Sequence, residues 1–584
     1  MAVTTPPPTL ICTPFFPCAV AQARGVRSPE AFLHGGESEF AGGAACLASL
    51  VIDFGEELVG AFEFDVRADD EVNLEVFYGE DLAEALVTKD PFPADNWYRL
   101  PRDAHTLAPG EHTVRHPGRR AFRYVHLVSH GPATFAVRAC RATLEHAPVE
   151  ARGWFACSDA LLNDAWQISR RTIKLCMQQH YEDGVKRDGM LWIGDYRVEF
   201  LCGNYLFGDA ALGRRCLEMM AEGAHPNGSL SAAALRAGGH QHPRLDYIAA
   251  GITNPGGLDR WVLDNYCADY VCALWEYVLH TGDTALAAQL APVLRALLGY
   301  LENVVLAQAA SPRSFITDNQ TDQADWWGSR STLAYQLAAA FAAGARLLEF
   351  VGEKMEAERY RQLHRARLRR AADDFGVPRA GATIRDDFAT DASVSWHSHA
   401  AAWLAGAITA DELRALQGKL HANPAVRRPM AGFMEYWLLA AWFEAGLARE
   451  ALDEMRSYWG QMLRNGATTT WELVDRRVAG LDRIVVGGRS QCHGWSAGPA
   501  HLLPAKVLGI TPATPGFREV EIRPALGDLK WAEGAVPTPH GTILVVWRGS
   551  GTGEVSLPAG VSAVLHRPGR EPQVLAGGAI HMVN

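Results

Sequence analysis

The chain reads as three regions in the order β, α, β: an N-terminal β-sandwich, a long helical domain and a C-terminal β-domain. Three patterns predict this order. Apolar and polar residues alternate in short segments from about Leu50 to Val149, apolar residues recur at three- and four-residue spacing from near Trp154 to about Pro504, and alternation returns after Pro504. A length of 584 residues is also too great for one ordinary core, since a domain takes about 150 residues.

Residues 1–49 are rich in Pro, Ala and Gly and read as a lead-in. Residues 50–150 carry VIDFG, GAFEFDVRA, EVNLEVFYGE, FRYVHLVS and TFAVRACRATLE, whose period of two between Gly, Asp and Pro turns describes an antiparallel β-sandwich, expected to be accessory. At residues 151–504 the texture is helical. It opens on ACSDALLNDAWQISRRTIKLCMQQ, with Ser158 and Asp159 as the cap signal, and continues in helix pairs joined by short Gly/Asp loops. At roughly 12 residues per helix plus connections, this length holds about ten to twelve helices. That number suits an (α/α)6 toroid and a helical solenoid equally, and no consistent repeat of roughly 34 to 47 residues is found. Residues 505–584 return to strands, REVEIRP, TILVVWRG, GEVSLPAG and SAVLHRP among them.

Composition excludes several classes. A net charge of -11 without a basic run argues against nucleic acid and anionic membrane as partners. The eleven Cys show no CxxC and no zinc spacing, so buried reduced thiols are expected, with no metal and no cofactor. The start MAVTTPPPTL lacks a basic region followed by an apolar stretch, and no uninterrupted apolar run approaches ~20 residues, which gives the expectation of a cytoplasmic protein. A homodimer is compatible with the sequence, which does not fix the oligomeric state. Seventeen Trp exceed what a core needs; sugar-binding clefts use such faces, although most Trp serve cores and interfaces.

Chemistry concentrates in few places. HYEDGVKRDGMLWIGDYRVEFLCGN, His180 to Asn204, gathers Glu182, Asp183, Asp188, Asp195 and Glu199 among Lys186, Arg187, Arg197, Trp192 and Tyr196, while Gly184, Gly189 and Gly194 interrupt any continuous helix. Like charges and partial burial raise a carboxyl toward the range a general acid needs. A solvated charged loop would carry the same letters. NGATTTWELVD places Glu472 beside Trp471, as a second carboxylate or a capping residue. Hydrolysis of a glycosidic bond needs a proton donor and a second carboxylate on the opposite face of the ring, and the two segments could supply one each. Further mixtures of Asp, Trp and His lie in GGLDRWVLDNY with Trp261, in ITDNQTDQADWWG with Asp325, Trp326 and Trp327, and in SQCHGWSAGP with His493 and Trp495. They resemble sugar subsites, though helix caps and buried polar residues look alike at this level. DNQTDQAD lacks EF-hand spacing. GWSAG matches the letters of a serine-hydrolase elbow around Ser496 but lacks the preceding strand.

KRDGMLWIGD, GATTTWE and CHGWSAGP, in that order on a helical domain between β-regions, resemble the six-hairpin glycosidase domain of glycoside hydrolase family 78, the α-L-rhamnosidases; VIDFGEELVGAFEF is similar to the family's N-terminal sandwich. The resemblance runs over about residues 50 to 575. It implies a central (α/α)6 barrel flanked by β-sandwiches, and an inverting glycosidase that removes terminal α-L-rhamnose from oligosaccharides or glycosides.

By the same resemblance Glu472 matches the general base, and Asp183, Arg187, Asp188, Trp192 and Asp195 match the RD…WxGD framework. Many members read RDER and use that Glu as donor; Gly189 stands there in this chain. The implied assignment is therefore Asp188 as acid, Asp195 second, and Asp183 as a ligand for sugar hydroxyls, with Trp192, Trp261, Trp327 and Trp495 walling the sugar. Inversion requires a gap of roughly 6.5 to 9.5 Å between the two carboxyls. Three rival readings are a glycosidase of the same clan acting on another sugar, a non-catalytic carbohydrate-binding homologue, which the Gly189 departure makes real, and a polysaccharide lyase on a similar toroid, for which HYED and CHGW would supply the Tyr or His base.

Overall fold

The computed structural model describes residues 3–41, 47–89, 100–116, 118–132, 134–186, 189–234, 236–237, 240–241, 262–305, 329–376, 382–388, 393–474, 489–549 and 552–584. Eleven strands come first: β1 (Ile11–Phe15), β2 (Ala19–Arg24), β3 (Val26–Arg27), β4 (Ser38–Ala41), β5 (Ala48–Gly60), β6 (Phe62–Ala68), β7 (Val72–Gly79), β8 (Arg102–Leu107), β9 (Gly110–Arg115), β10 (Arg120–His130) and β11 (Thr134–His146). They form two antiparallel sheets, ordered β3-β4-β11-β6-β9 with β1 also on β11, and β2-β5-β10-β7-β8. Alternation along β6 puts Phe62, Phe64 and Val66 inward, where they share one apolar core with Leu50, Ile52, Leu74, Val76, Val125 and Leu127 of the other sheet. The lead-in residues supply β1 to β4, so that stretch is woven into the same sheets. A single helical turn, α1 (Leu82–Ala85), follows β7 and is capped by the Asp81 side chain.

The strand β12 (Trp154–Cys157) leads into the helices, which begin with α2 (Ala160–Cys176) behind an Asp159 cap that accepts from Leu161 and Leu162 N–H. Then follow α3 (Ile193–Phe207), α4 (Ala211–Glu222), α5 (Asp264–Thr281), α6 (Thr284–Tyr300), α7 (Arg330–Phe350), α8 (Lys354–Phe375), α9 (Trp396–Leu404), α10 (Ala410–Ala422), α11 (Gly432–Glu444) and α12 (Ala448–Arg464). Two kinds of helix alternate. α3, α5 and α11 are buried on nearly every side, whereas α8, α10 and α12 bury one stripe and expose the rest. The buried helices touch in sequence, α3 with α5, α5 with α7, α7 with α9, α9 with α11, and α11 with α3 again. Short ribbons pair β13 (Leu191–Trp192) with β14 (Ala233–Ala234) and β15 (Arg236–Ala237) with β16 (His240–Gln241).

The segment Thr284–Asn303 is long and apolar enough to cross a membrane by length and composition. In this fold it packs Leu286, Leu290, Leu294, Leu297 and Leu298 into the core, as a helix of a helical layer does.

The chain ends in β17 (Ile510–Pro512), β18 (Glu519–Ile522), β19 (Trp531–Thr538), β20 (Gly541–Arg548), β21 (Thr552–Ser556), β22 (Ser562–Leu565), β23 (Gln573–Leu575) and β24 (Ile580–Val583). β12 pairs with β19, so a strand that precedes the helices closes one edge of the terminal sheet. The excess of Trp is largely structural: Trp166, Trp396, Trp459 and Trp547 are among the largest fully buried side chains.

Candidate active site

The segment after α2 is shaped by its own backbone. The Asp183 N–H donates to the Met190 carbonyl (3.0 Å) and the Met190 N–H donates to Asp183 Oδ1 (3.0 Å), so one side chain and three backbone groups close the neck of a loop. Inside that neck the Gly189 N–H donates to the Gly184 carbonyl (3.0 Å) with Gly189 at φ +60°, a left-handed conformation costly for residues with a Cβ. The backbone itself thus favours Gly at 189. The chain then enters α3 at Ile193, with Asp195 in its first turn, near the positive end of the helix dipole.

Two further stretches are stitched to this loop. The His493 N–H donates to the Thr470 carbonyl (2.9 Å), the Thr470 hydroxyl donates to the His493 carbonyl (3.2 Å), and the Gly494 N–H donates to the Asp183 carbonyl (2.7 Å). Gly184 forms a bridge with His493, while Thr470 is held from α2 by Thr172 Oγ1, which accepts its N–H (2.7 Å). The CHGW stretch therefore runs between TTTWE and HYED. Glu472 is 1% exposed. Its Oε1 accepts from Arg489 Nη1 (2.7 Å), its Oε2 accepts from the Ser490 N–H (2.9 Å), and its carbonyl accepts from Trp495 Nε1 (2.8 Å).

These ties gather Asp183, Asp195 and His493, all buried, so that one donor atom from each lies within 4.8 Å of the others. His493 Nε2 stands 3.8 Å from Asp183 Oδ2 and Nδ1 stands 3.8 Å from Asp195 Oδ1, both beyond direct hydrogen-bond length. Among the described residues this is the one such convergence of His, Cys, Asp and Glu donors close enough for a metal ion, and the same spacing suits the hydroxyls of a sugar. Aromatic rings border it: Trp495 lies 4.3 Å from His493, Phe433 lies 6.0 Å from Trp495, and half-buried Trp192 meets Tyr266 edge-on at 6.3 Å. The Tyr266 hydroxyl donates to Asp195 Oδ2 (3.4 Å), and burial, with Asp195 next, holds that phenol well above its ordinary pKa, so it remains a donor. One turn along α3 from Asp195, Glu199 is fully buried, and both its oxygens lack a hydrogen-bond partner; burial first, then the charges of Asp195 and Glu182, push its carboxyl well above the usual range.

Of the residues singled out from sequence, Asp183, Trp192, Asp195, Glu472, His493 and Trp495 come together here. Arg187, Asp188, Trp261, Asp325, Trp326 and Trp327 lie outside the described residues. Ser496 is fully buried in a short helical turn, its hydroxyl without a partner and pressed toward Gly432, so it is no exposed nucleophile. Arg197 belongs to a structural ion-pair set: it forks onto Glu276 (2.7 Å) and Asp269 (2.9 Å) and lies 4.0 Å above the Trp437 ring. Not legible from the sequence were Glu80 and Glu84, just after β7 and in α1 of the N-terminal region, which hold Lys186 at 2.7 Å each. The signal was present only as a helix cap, Asp81 with Glu84 three residues on.

Residues 150–507 match the family model for the bacterial alpha-L-rhamnosidase 6 hairpin glycosidase domain. The chain belongs to the bacterial α-L-rhamnosidase family. Residues 509–579 match the C-terminal domain of the same rhamnosidases. Among solved rhamnosidases, a family 78 enzyme of Bacillus sp. GL1 is 25% identical, with a TM-score of 0.76, over 91% of this chain and 54% of that one. A rhamnosidase from Klebsiella oxytoca with rhamnose bound has the same fold at 24% identity and a TM-score of 0.67, covering 85% of this chain and 96% of that one. An alpha-L-rhamnosidase of Alteromonas sp. (strain LOR) is 33% identical over 125 residues, which is 21% of this chain and 14% of that protein. The chain thus spans about half the length of the Bacillus rhamnosidase and a small part of the Alteromonas one.

Proposed function

We propose that this chain is an inverting glycoside hydrolase that removes terminal α-L-rhamnose from oligosaccharides or glycosides. Its working unit is an (α/α)6 barrel at residues 151–504, between a C-terminal β-sandwich at 505–584 and an N-terminal β-sandwich at 50–150 whose sheets also take in strands β1 to β4 of the lead-in at 1–49. The ring of contacts among α3, α5, α7, α9 and α11 supports the barrel. The observation that carries the function is the convergence of Asp183, Asp195 and His493 beside the segment that holds Glu472, at the N-terminal end of the buried helix α3, in a chain of this family.

Inverting hydrolysis needs one carboxyl to protonate the departing oxygen and another to take a proton from the attacking water. In this reading Glu472 is the base, and Arg489 and the Ser490 N–H fix its two oxygens in one orientation. Asp188 is the acid. Asp195 accepts from Tyr266, which suits it to receive a sugar hydroxyl and makes it the second choice as donor. Asp183, with Oδ1 on the Met190 N–H and Oδ2 toward His493, is a ligand for the sugar's hydroxyls, and the rings of Trp192 and Trp495 wall the ring and methyl group of the deoxy-sugar. The lyase alternative loses its tyrosine: Tyr181 is fully buried behind α3, and its hydroxyl packs on Gly203.

A panel of aryl glycosides tests the reading. Release of phenol from the α-L-rhamnoside, at least about tenfold faster than from the other sugars, is expected, a margin that a few well-placed contacts supply. Binding of rhamnose without release, or preference for a different sugar, would contradict it.

A further inference from the structure

We propose that Glu80, on the chain directly after β7, is a positioning residue for both halves of the site, so that the N-terminal β-region forms a working part of the catalytic apparatus. The proposal rests on the function read above. Glu80 is buried, and each of its oxygens is committed to the helical region. Oε1 accepts from the Ser490 hydroxyl (3.0 Å), and Oε2 accepts from the Gln491 N–H (2.6 Å) and from Lys186 Nζ (2.7 Å).

Those partners lead to the two carboxylate segments. Ser490 and Arg489 bind Glu472, so the strap Arg489–Gln491 is fastened to Glu472 on one side and to Glu80 on the other. Lys186 lies in the loop closed by Asp183 and Met190, and immediately precedes Arg187 and Asp188 in the chain; its ammonium also donates to the Arg489 carbonyl (3.0 Å) and pairs with Glu84 (2.7 Å). One carboxylate therefore ties the strap that holds Glu472 to the loop that Asp183 and Met190 close. Glu84 completes the support by accepting the Glu80 N–H (2.8 Å), and Asp81 accepts from the Gln491 side chain.

The electrostatics fit a positioning device better than a simple domain contact. Glu57, Glu80, Glu84 and Lys186 are all buried, and the one ammonium pairs with Glu80 and Glu84. Burial pushes Glu84 up to about 7 against the pull of Lys186, and burial followed by the charge of Glu80 pushes Glu57 well above the usual range. Burying such a set is costly where apolar packing would join two domains more cheaply, and what it supplies in return is a defined geometry.

The test compares Glu80→Ala and Glu80→Gln with Arg171→Ala in the full chain. Arg171 of α2 spans the same boundary, bonding the Glu57 carbonyl (3.0 Å) and Glu56 (2.7 Å), but does not touch the strap. Misplacing a reacting group by about 1 Å costs about 10²-fold in rate, so Glu80→Ala is expected to lower kcat by about that factor on an aryl α-L-rhamnoside with KM within about threefold. Glu80→Gln keeps one acceptor oxygen and falls between; Arg171→Ala lowers thermal stability and leaves kcat in place. Hydrogen exchange gives a readout independent of activity: peptides covering 183–190 and 489–493 exchange faster in both Glu80 variants and not in Arg171→Ala. Wild-type kcat in folded Glu80→Ala, or unchanged exchange in either peptide, would overturn the proposal. A wild-type chain that releases no rhamnose, with exchange still raised in both peptides, would instead count against the function and leave the positioning role standing.

Discussion

Replacing Gly494 by alanine puts a methyl group where the site has no room. A Cβ built on Gly494 lies 1.8 Å from Glu199 Oε1, 2.6 Å from its Cδ and 2.7 Å from its Cγ, and real Cβ atoms essentially never come within 3.0 Å of such a neighbour. The whole Glu199 side chain must retreat, yet it is fully buried between α3 and the CHGW stretch. Otherwise the backbone from His493 to Trp495 must lift off α3, taking with it the Gly494 bond to Asp183 (2.7 Å) and the Trp495 bond to the Glu472 carbonyl (2.8 Å). Overpacking of this kind costs about 1 to 3 kcal/mol. A displacement on the order of 1 Å beside the reacting groups lowers the rate by about 10²-fold. Chemical unfolding and aryl α-L-rhamnoside turnover read the two effects separately. The double variant Gly494→Ala/Glu199→Ala, which removes the obstructing carboxyl, should recover a measurable part of both losses, with a coupling energy of about 1 kcal/mol or more. Gly494→Ala that matches wild type in unfolding midpoint and kcat would refute the packing argument; a double variant no better than the sum of its parts would refute the role given to Glu199.

Glu472→Gln and Asp188→Asn should each reduce turnover by about 10² to 10⁴-fold or more while the unfolding midpoint stays within a few degrees, as kinetics and calorimetry would record. Arg197→Met strips a buried partner from Glu276 and from Asp269, whose carboxyl burial already pushes up to about 6, and should cost about 3 to 5 kcal/mol in urea unfolding. His280 is held down at about 4 by burial, so the unfolded chain takes up a proton that the folded chain refuses between about 6.5 and 4. Its contribution to stability is present above pH 6.5 and is lost as pH falls through that window. His280→Gln should therefore flatten the acid limb of stability against pH by up to a few kcal/mol, measured by unfolding at pH 5 and pH 7.

Local pattern carried the sequence reading as far as local pattern reaches. Period-two alternation in GAFEFDVRA became β6, and the spacing behind Asp159 became α2, because each element's own burial face dictates its residues. Glu472 and His493 were visible as polar residues beside Trp471 and Trp495, and the structure places both stretches at one center. The pairings that span the chain were not visible. β12 falls in the stretch read as helical from near Trp154 yet pairs with β19, and Glu80 meets Gln491 across 411 positions, which neither residue's neighbourhood signals. Gly189 shows the limit from the other side: as a letter it is a lost glutamate, while its φ of +60° shows a backbone that asks for glycine. Arg197 marks the opposite error, a charged residue inside a catalytic-looking segment whose side chain faces a structural ion pair.

What leaves the site, and in which anomeric form, decides whether Glu472 acts as the base of an inverting hydrolase. Proton NMR of an aryl α-L-rhamnoside during the first minutes of digestion reports both, since the anomers of free rhamnose equilibrate only later. Early accumulation of β-L-rhamnose, abolished in Glu472→Gln, is the result expected of an inverting site with Glu472 as base. Early accumulation of the α-anomer, or release that persists undiminished in Glu472→Gln, would contradict it.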